Sequence, residues 1–265
     1  MDMRLAGAKA FISGSTQGIG FAIARALVEG GAEVTISGRD AARVDASVAA
    51  LRASAPGATA SGVVVDFRDA HATTALADEL AQRRLDILVN NVGLFGVADF
   101  AEISDEEWLD YLTVNVMSGV RLSRAVLPGM LAAGTGRILF VSSESGVNVP
   151  ADMVHYGTTK AAMLGLANGL AKLTRGTGVT VNTILGGPTY SDGVAQAVEQ
   201  IAAAQQTSPE QLKAAIAEGH PTSLVRRFLE PDEIARLAVY LASPLSGATN
   251  GAALRADGGA LTGTL

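Results

Sequence analysis

Short apolar runs alternate with stretches of helical periodicity along almost the whole chain, and this alternation constrains the fold more than any other feature. Strand-like runs fall at 8–13, 33–37, 62–66 and 85–90, with helical stretches at 18–30, 40–53 and 70–83 between them. Strands this apolar are covered on both faces, and successive parallel strands need a crossover long enough to hold a helix. The alternation resumes with strands expected at 137–142, 179–185 and 252–255 and helices at 154–174 and 231–243. The pattern implies one α/β domain over 1–265, a doubly wound parallel sheet with helices on both faces. At 265 residues the length fits one such domain, and 48% hydrophobic against 17% charged residues suits a filled core.

Charge and composition exclude several functions. A net charge of −6 leaves no electrostatic footprint for nucleic acid. No apolar run approaches the roughly eighteen residues of a membrane span, and 1–7 lacks the apolar core of a signal peptide. The chain has no cysteine, so disulfides, thiolate nucleophiles and thiolate metal sites are absent. His71, His155 and His220 are too scattered for a metal site, and no metal is expected. A cytoplasmic protein with a small-molecule substrate, and neither a nucleic-acid nor a membrane partner, is the expectation.

Chemistry concentrates at the ends of the expected strands. Ser13-Gly14-Ser15-Thr16-Gln17-Gly18-Ile19-Gly20 joins the first strand to the first helix, where glycines let the backbone approach a pyrophosphate at a helix N-terminus. The second strand ends in Ser37-Gly38-Arg39, without the carboxylate that would bind the ribose hydroxyls of NAD. A guanidinium there suits a 2′-phosphate, and Asp40 reads as the N-cap of the next helix. Ser104 and Glu107 form a capping box opening a helix that runs toward Pro128. Asn115 lies on the apolar stripe of that helix, a poor place for four hydrogen-bonding sites. Tyr156 and Lys160 stand four apart, on one face of a helix. A cation held against a phenol favours the phenolate, so Lys160 is expected to lower the tyrosine pKa from roughly 10. Ser142, Ser143 and Ser145 precede them, and strand alternation puts Ser142 and Ser143 on opposite faces. Between 186 and 230 the alternation breaks into two helical pieces, near 194–204 and 209–218. An insertion after a parallel strand lies at the carboxyl end of the sheet, which makes 186–230 a candidate substrate lid. Tyr190, Val194, Val198, Ile201 and Leu224 suggest that it is apolar inside.

From Lys9 to Gly259 the chain resembles the short-chain dehydrogenase/reductase family. The resemblance rests on Gly14/Gly18/Gly20, Asp66, Asn90-Asn91-Val92-Gly93, Asn115, Ser143 and Tyr156-x3-Lys160, in the family's order. It implies a Rossmann-type fold and an NADP(H)-dependent oxidoreductase interconverting a ketone and a secondary alcohol. Tyr156 would exchange the proton as general acid/base. Ser143, thirteen residues earlier, would hold the substrate oxygen, Lys160 the nicotinamide ribose, and Asn115 a water that relays protons to Lys160. The cofactor would contact Gly14, Ser15, Thr16, Gln17, Gly18, Ile19, Gly20, Arg39, Asp66, Phe67, Asn90, Asn91, Val92, Gly93, Tyr156, Lys160, Gly187 and Thr189. Gln17 supplies no second charge for the 2′-phosphate. Val92 adds bulk where the family carries alanine, and Gly186-Gly187-Pro188-Thr189 replaces a Pro-Gly, a change expected to loosen that segment. The resemblance also implies a homotetramer or homodimer. The rival function is a catalytically silent dinucleotide sensor on the same fold.

Overall fold

A computed structural model describes residues 3–219 and 222–264; His220 lies outside the described residues. Seven parallel strands form one sheet in the order β3-β2-β1-β4-β5-β6-β7: β1 Lys9–Ile12, β2 Glu33–Gly38, β3 Thr59–Val64, β4 Ile87–Asn90, β5 Thr135–Ser143, β6 Gly178–Gly186 and β7 Ala253–Ala256. The chain runs outward from β1 to β3, returns, and restarts beside β1 with β4. This reversal opens a crevice beyond the carboxyl ends of β1 and β4, where such sheets bind ligands.

Successive residues of a strand feed opposite faces. Ala10 and Ile12 enter a core formed with α1 (Gly18–Glu29), α2 (Ala41–Ser54) and α9 (Pro231–Ala242), while Phe11 enters the core on the other face. That second core is filled from α3 (Ala70–Gln82), α5 (Ser118–Ala133) and α6 (Val154–Leu173). The three-layer α/β arrangement is the one read from the alternation.

Two boundaries differ from expectation. β3 begins at Thr59, pairing with Glu33, and ends at Val64, so it is shifted from 62–66 toward the N-terminus. It is an edge strand carrying exposed Thr59, Ser61 and Gly62, so backbone pairing defines it where an apolar run does not. The helix opening at Ser104 also continues past Pro128. It comprises α4 (Asp105–Tyr111), a π-helical turn over Leu112–Met117, and α5, which ends at Ala133 before Gly134 at φ 70°. Ser104 caps it by accepting from the Glu107 amide at 3.2 Å.

The 186–230 excursion contains α7 (Asp192–Ala204) and α8 (Pro209–Gly219), matching the two expected helical pieces. The segment following β6 is not loose. Thr189 bridges Leu229, the Leu229 amide donates to the Pro188 carbonyl at 2.8 Å, and the Tyr190 amide donates to the Leu229 carbonyl at 2.8 Å. Cross-bridging by Leu229 thus supplies the restraint expected to be lost with the proline. No helix among the described residues is long and apolar enough to cross a membrane.

Candidate active site

Two backbone segments, the glycine turn and the loop after β4, build the cradle above β1 and β4. Gly14 has φ 61° and Gly18 has φ 59°, a region that side chains disfavour. A Cβ on Gly14 would stand 2.8 Å from the Val92 Cα, and one on Gly20 would stand 2.4 Å from the Asn91 Nδ2. The loop after β4 therefore packs directly against the glycine turn. Asn91 locks the two together, its Nδ2 donating to the carbonyls of Ser13 at 3.0 Å and Gly14 at 2.7 Å. Ser13 Oγ accepts from the Asn91 and Val92 amides.

A cleft of about 380 Å³ runs from this turn along the ends of β2 and β3, lined by Gly14, Thr16, Gln17, Arg39, Asp66 and Gly93 among others. Some residues expected to touch a cofactor do other work. Ser15 is fully buried, and its hydroxyl donates to the Ile12 carbonyl at 2.7 Å and accepts from the Ser37 amide at 3.0 Å, tying β1 to β2. Asn90 is buried and turned away, with Nδ2 donating to Ser123 Oγ on α5. Phe67 lines the cleft while packing into the core with Phe11. Asp66 lines it too, one carboxylate oxygen accepting from the Arg68 amide at 2.9 Å. Gly187 packs on Asp257, where a Cβ would meet the carbonyl oxygen at 2.5 Å.

At the end of β5 the two adjacent serines separate as strand alternation requires. Ser142 Oγ donates to the Lys160 carbonyl at 2.9 Å, fastening β5 to α6. Ser143 points the other way, beside the Tyr156 phenol, and its Oγ accepts from the Ser145 amide at 3.1 Å. Lys160 Nζ lies 5.6 Å from the Tyr156 ring centroid and donates to the Val141 carbonyl at 2.9 Å.

The electrostatics depart from expectation. Burial pushes the Tyr156 phenol up to about 12; the neighbouring Ser143 hydroxyl opposes this, and Glu144 and Tyr111 add to it. Burial also pulls the Lys160 ammonium down to about 8, while it donates to the Val141 carbonyl.

Asn115 is likewise committed to the protein. Its Oδ1 accepts from the Leu94 amide at 2.6 Å, while Nδ2 donates to the Leu94 carbonyl at 3.0 Å and to Thr159 Oγ1 at 2.9 Å. Both amide protons are used, so the side chain clamps the loop after β4 to α6. The π-turn inserts one extra residue per turn, which delivers a buried Asn from an apolar stripe to this junction. His155 is buried at the start of α6 against Tyr111, with ring centroids 4.1 Å apart.

Sequence reasoning missed three participants. Arg43 lines the cleft and its Nη1 donates to Gln17 Oε1 at 3.3 Å, Thr159 anchors Asn115, and Asp192 of α7 accepts from the Gly18 amide at 2.6 Å. The last contact ties the excursion to the glycine turn. Of its expected apolar residues, Val198 is buried, while Ile201 is 43% and Leu224 83% exposed.

A doubly wound parallel sheet with a glycine turn at its switch point, and serine, tyrosine and lysine converging beside it, defines a dinucleotide-binding oxidoreductase class. A sequence model of the family described as short chain dehydrogenase matches residues 8–202, and the chain belongs to that family. It is 42% identical to the uncharacterized oxidoreductase YvrD of Bacillus subtilis (strain 168) over 98% of each chain. L-sorbose reductase of Gluconobacter frateurii, solved with NADPH and L-sorbose, superposes with a TM-score of 0.93 at 29% identity, covering 99% of this chain and 100% of that one. Actinorhodin polyketide ketoreductase, solved with NADPH, gives 0.87 at 31% identity over 96% and 97% of the two chains.

Proposed function

We propose that this chain is an NADP(H)-dependent oxidoreductase that interconverts a ketone and a secondary alcohol. The observation that carries the reading is the Ser143–Tyr156–Lys160 cluster beside the glycine turn, with Ser143 next to the phenol and Lys160 Nζ 5.6 Å from its ring centroid. The residues present fit the cofactor. Gly14 and Gly93 line the cleft without side chains, a Cβ on Gly93 would be 3.5 Å from Lys160 Nζ, and Arg39 lines the same cleft. The glycine turn and the α1 N-terminus would hold the diphosphate, Arg39 the 2′-phosphate, and Lys160 the nicotinamide ribose. When bound, the reduced nicotinamide supplies the hydride to the carbonyl carbon.

The chain's own groups handle the oxygen. Ser143 donates a hydrogen bond to the substrate oxygen, which gains negative charge as the carbon–oxygen double bond opens. Tyr156 transfers its phenolic proton to that oxygen, giving the alcohol, and the Lys160 ammonium stabilises the phenolate left behind. Burial keeps the phenol protonated at neutral pH, the state that donates in the reducing direction. Solvent then reprotonates Tyr156. Phe95 and Val97 after β4 and Val149 after β5 are exposed apolar side chains, which suit an organic carbonyl compound. The named reductases among its relatives act on carbonyl compounds, which supports the same chemistry here.

The test is NADPH consumption with a panel of ketones and keto sugars, for wild type and Tyr156→Phe. Turnover is expected with at least one compound, and Tyr156→Phe is expected to lower it by about 10²–10⁴-fold while leaving NADPH binding within a few-fold. Tight NADPH binding without turnover across the panel would favour the dinucleotide sensor. Turnover retained by Tyr156→Phe would remove the tyrosine from the mechanism.

A further inference from the structure

The cleft rim holds a second guanidinium whose position is set by a neutral residue of the glycine turn. Gln17 occupies the N-cap of α1 without capping it. Its side chain reaches sideways instead, and Oε1 accepts from Arg43 Nη1 at 3.3 Å. Arg43 belongs to the first turn of α2, 26 positions away, and both residues line the cleft with Gly38 and Arg39. An arginine serving only solubility has no need to cross the mouth of a cleft toward an amide oxygen.

The charges on this rim are unequally spent. Arg68 Nε is paired with Asp110 at 3.0 Å. Arg39 and Arg43 have no carboxylate partner among the described residues. The two carboxylates lining the cleft face backbone amides: Asp40 accepts from the Arg43 amide at 2.8 Å, and Asp66 from the Arg68 amide. Asp40 thereby caps α2 and orients the turn that carries Arg43. The result is a pair of exposed forks flanking the end of β2, at the N-terminus of a helix. That combination suits a phosphomonoester dianion, whose oxygens accept planar, charge-assisted bonds.

We infer that Arg43 is a second binding group for the 2′-phosphate of NADP(H), alongside Arg39, and that Gln17 is the positioning residue that holds it over the cleft. This rests on the NADP(H) reading above and assigns that selectivity to residues outside the β2 end. Gln17 carries no charge of its own, yet it recruits one from α2. The competing role for Arg43 is a strap that only closes the glycine turn against α2, and the two roles differ in what they do to NAD⁺.

The experiment measures dissociation constants by calorimetry on the full chain, with NADP⁺, NAD⁺, 2′,5′-ADP and 5′-ADP as probes, for wild type, Arg39→Ala, Arg43→Ala, Arg43→Lys and Gln17→Leu. Loss of one charge-assisted contact to phosphate corresponds to about tenfold in affinity. Arg43→Ala is therefore expected to weaken NADP⁺ and 2′,5′-ADP by about that factor, leaving NAD⁺ and 5′-ADP within about twofold. Gln17→Leu should weaken the phosphorylated probes by about threefold with the same selectivity, and Arg43→Lys should fall between wild type and Arg43→Ala. Equal weakening of all four probes by Arg43→Ala identifies a strap and overturns the inference. So does an unchanged preference in Arg43→Ala when Arg39→Ala loses it, although NADP(H) use then stands. Wild type binding NAD⁺ as tightly as NADP⁺ would overturn the cofactor reading itself.

Discussion

Lys160 gives the most direct physical test of the site, because its signature is independent of any substrate. The side chain is 5% exposed, and burial lowers its pKa from 10.5 to about 8. At about 1.4 kcal/mol per pH unit, that difference corresponds to about 3 kcal/mol. The sign follows from which state holds the proton. Below pH 8 both folded and unfolded lysine are charged, and the folded protein bears the whole burial cost. Between about 8 and 10.5 the folded lysine is neutral while the unfolded one stays charged, so the cost fades and stability rises with pH. Tyr156 acts oppositely and later: with a folded pKa of about 12, its ionisation in the unfolded chain lowers stability only above pH 10. The window from pH 7 to 9.5 therefore isolates the lysine, with an expected gain of about 2 kcal/mol in unfolding free energy. Lys160→Met removes the titration. At pH 7 it also loses the 2.9 Å bond to the Val141 carbonyl, costing about 1 kcal/mol, so the variant should be more stable than wild type by about 1–2 kcal/mol. The two should converge near pH 9.5. Urea unfolding at half-unit intervals reads both curves. Parallel curves would mean that the ammonium is hydrated in the folded state, and the reasoning from burial would fail.

The remaining predictions concern neighbouring groups. Ser143→Ala should lower turnover by about 10²–10³-fold. Ser142→Ala should cost about 1 kcal/mol of stability and leave turnover within a few-fold; equal kinetic losses would show that the two faces of β5 were assigned wrongly. Gly38→Asp places a carboxylate where NAD-selective chains carry one, but its Cβ would stand 2.6 Å from Thr16 Cγ2. The single variant should therefore bind both cofactors poorly, while Gly38→Asp with Thr16→Ser binds NAD⁺ preferentially. If the single variant already does so at full affinity, Thr16 is not the obstacle. In hydrogen exchange, NADPH should slow the amides of α7 and α8, and Asp192→Ala should speed those of α7 in the free protein by about tenfold through loss of the Gly18 contact. Strong, ligand-independent protection in wild type and Asp192→Ala alike would make this excursion a fixed part of the fold.

The fold was legible because strand and helix periodicities are local properties. An apolar run such as Ala10-Phe11-Ile12 feeds both faces wherever it pairs, so β1 needed no tertiary information. β3 was misplaced because an edge strand is defined by its partner, and Thr59 and Ser61 announce nothing about the register with Glu33 and Thr35. The same division runs through the site. Ser142 and Ser143 separate by alternation, a local rule, and their distinct partners follow from it. The tyrosine pKa turned on a non-local fact. Helical spacing correctly set Lys160 beside Tyr156, but whether the ammonium acts on the phenol depends on a carbonyl of β5 contributed from nineteen residues away, and on burial by three layers of structure. Asn115 makes the same point from the other side: its polarity marked it as out of place, but its partner, the backbone of Leu94, has no residue-type signature at all. Arg43 lies between these cases. Arg39 precedes the Asp40 cap and Arg43 lies in the first turn of α2 behind it, and only the reach of Gln17 across the cleft separates Arg43 from an ordinary surface arginine. Residue type marks where chemistry gathers; the hydrogen-bond partner decides which group carries it.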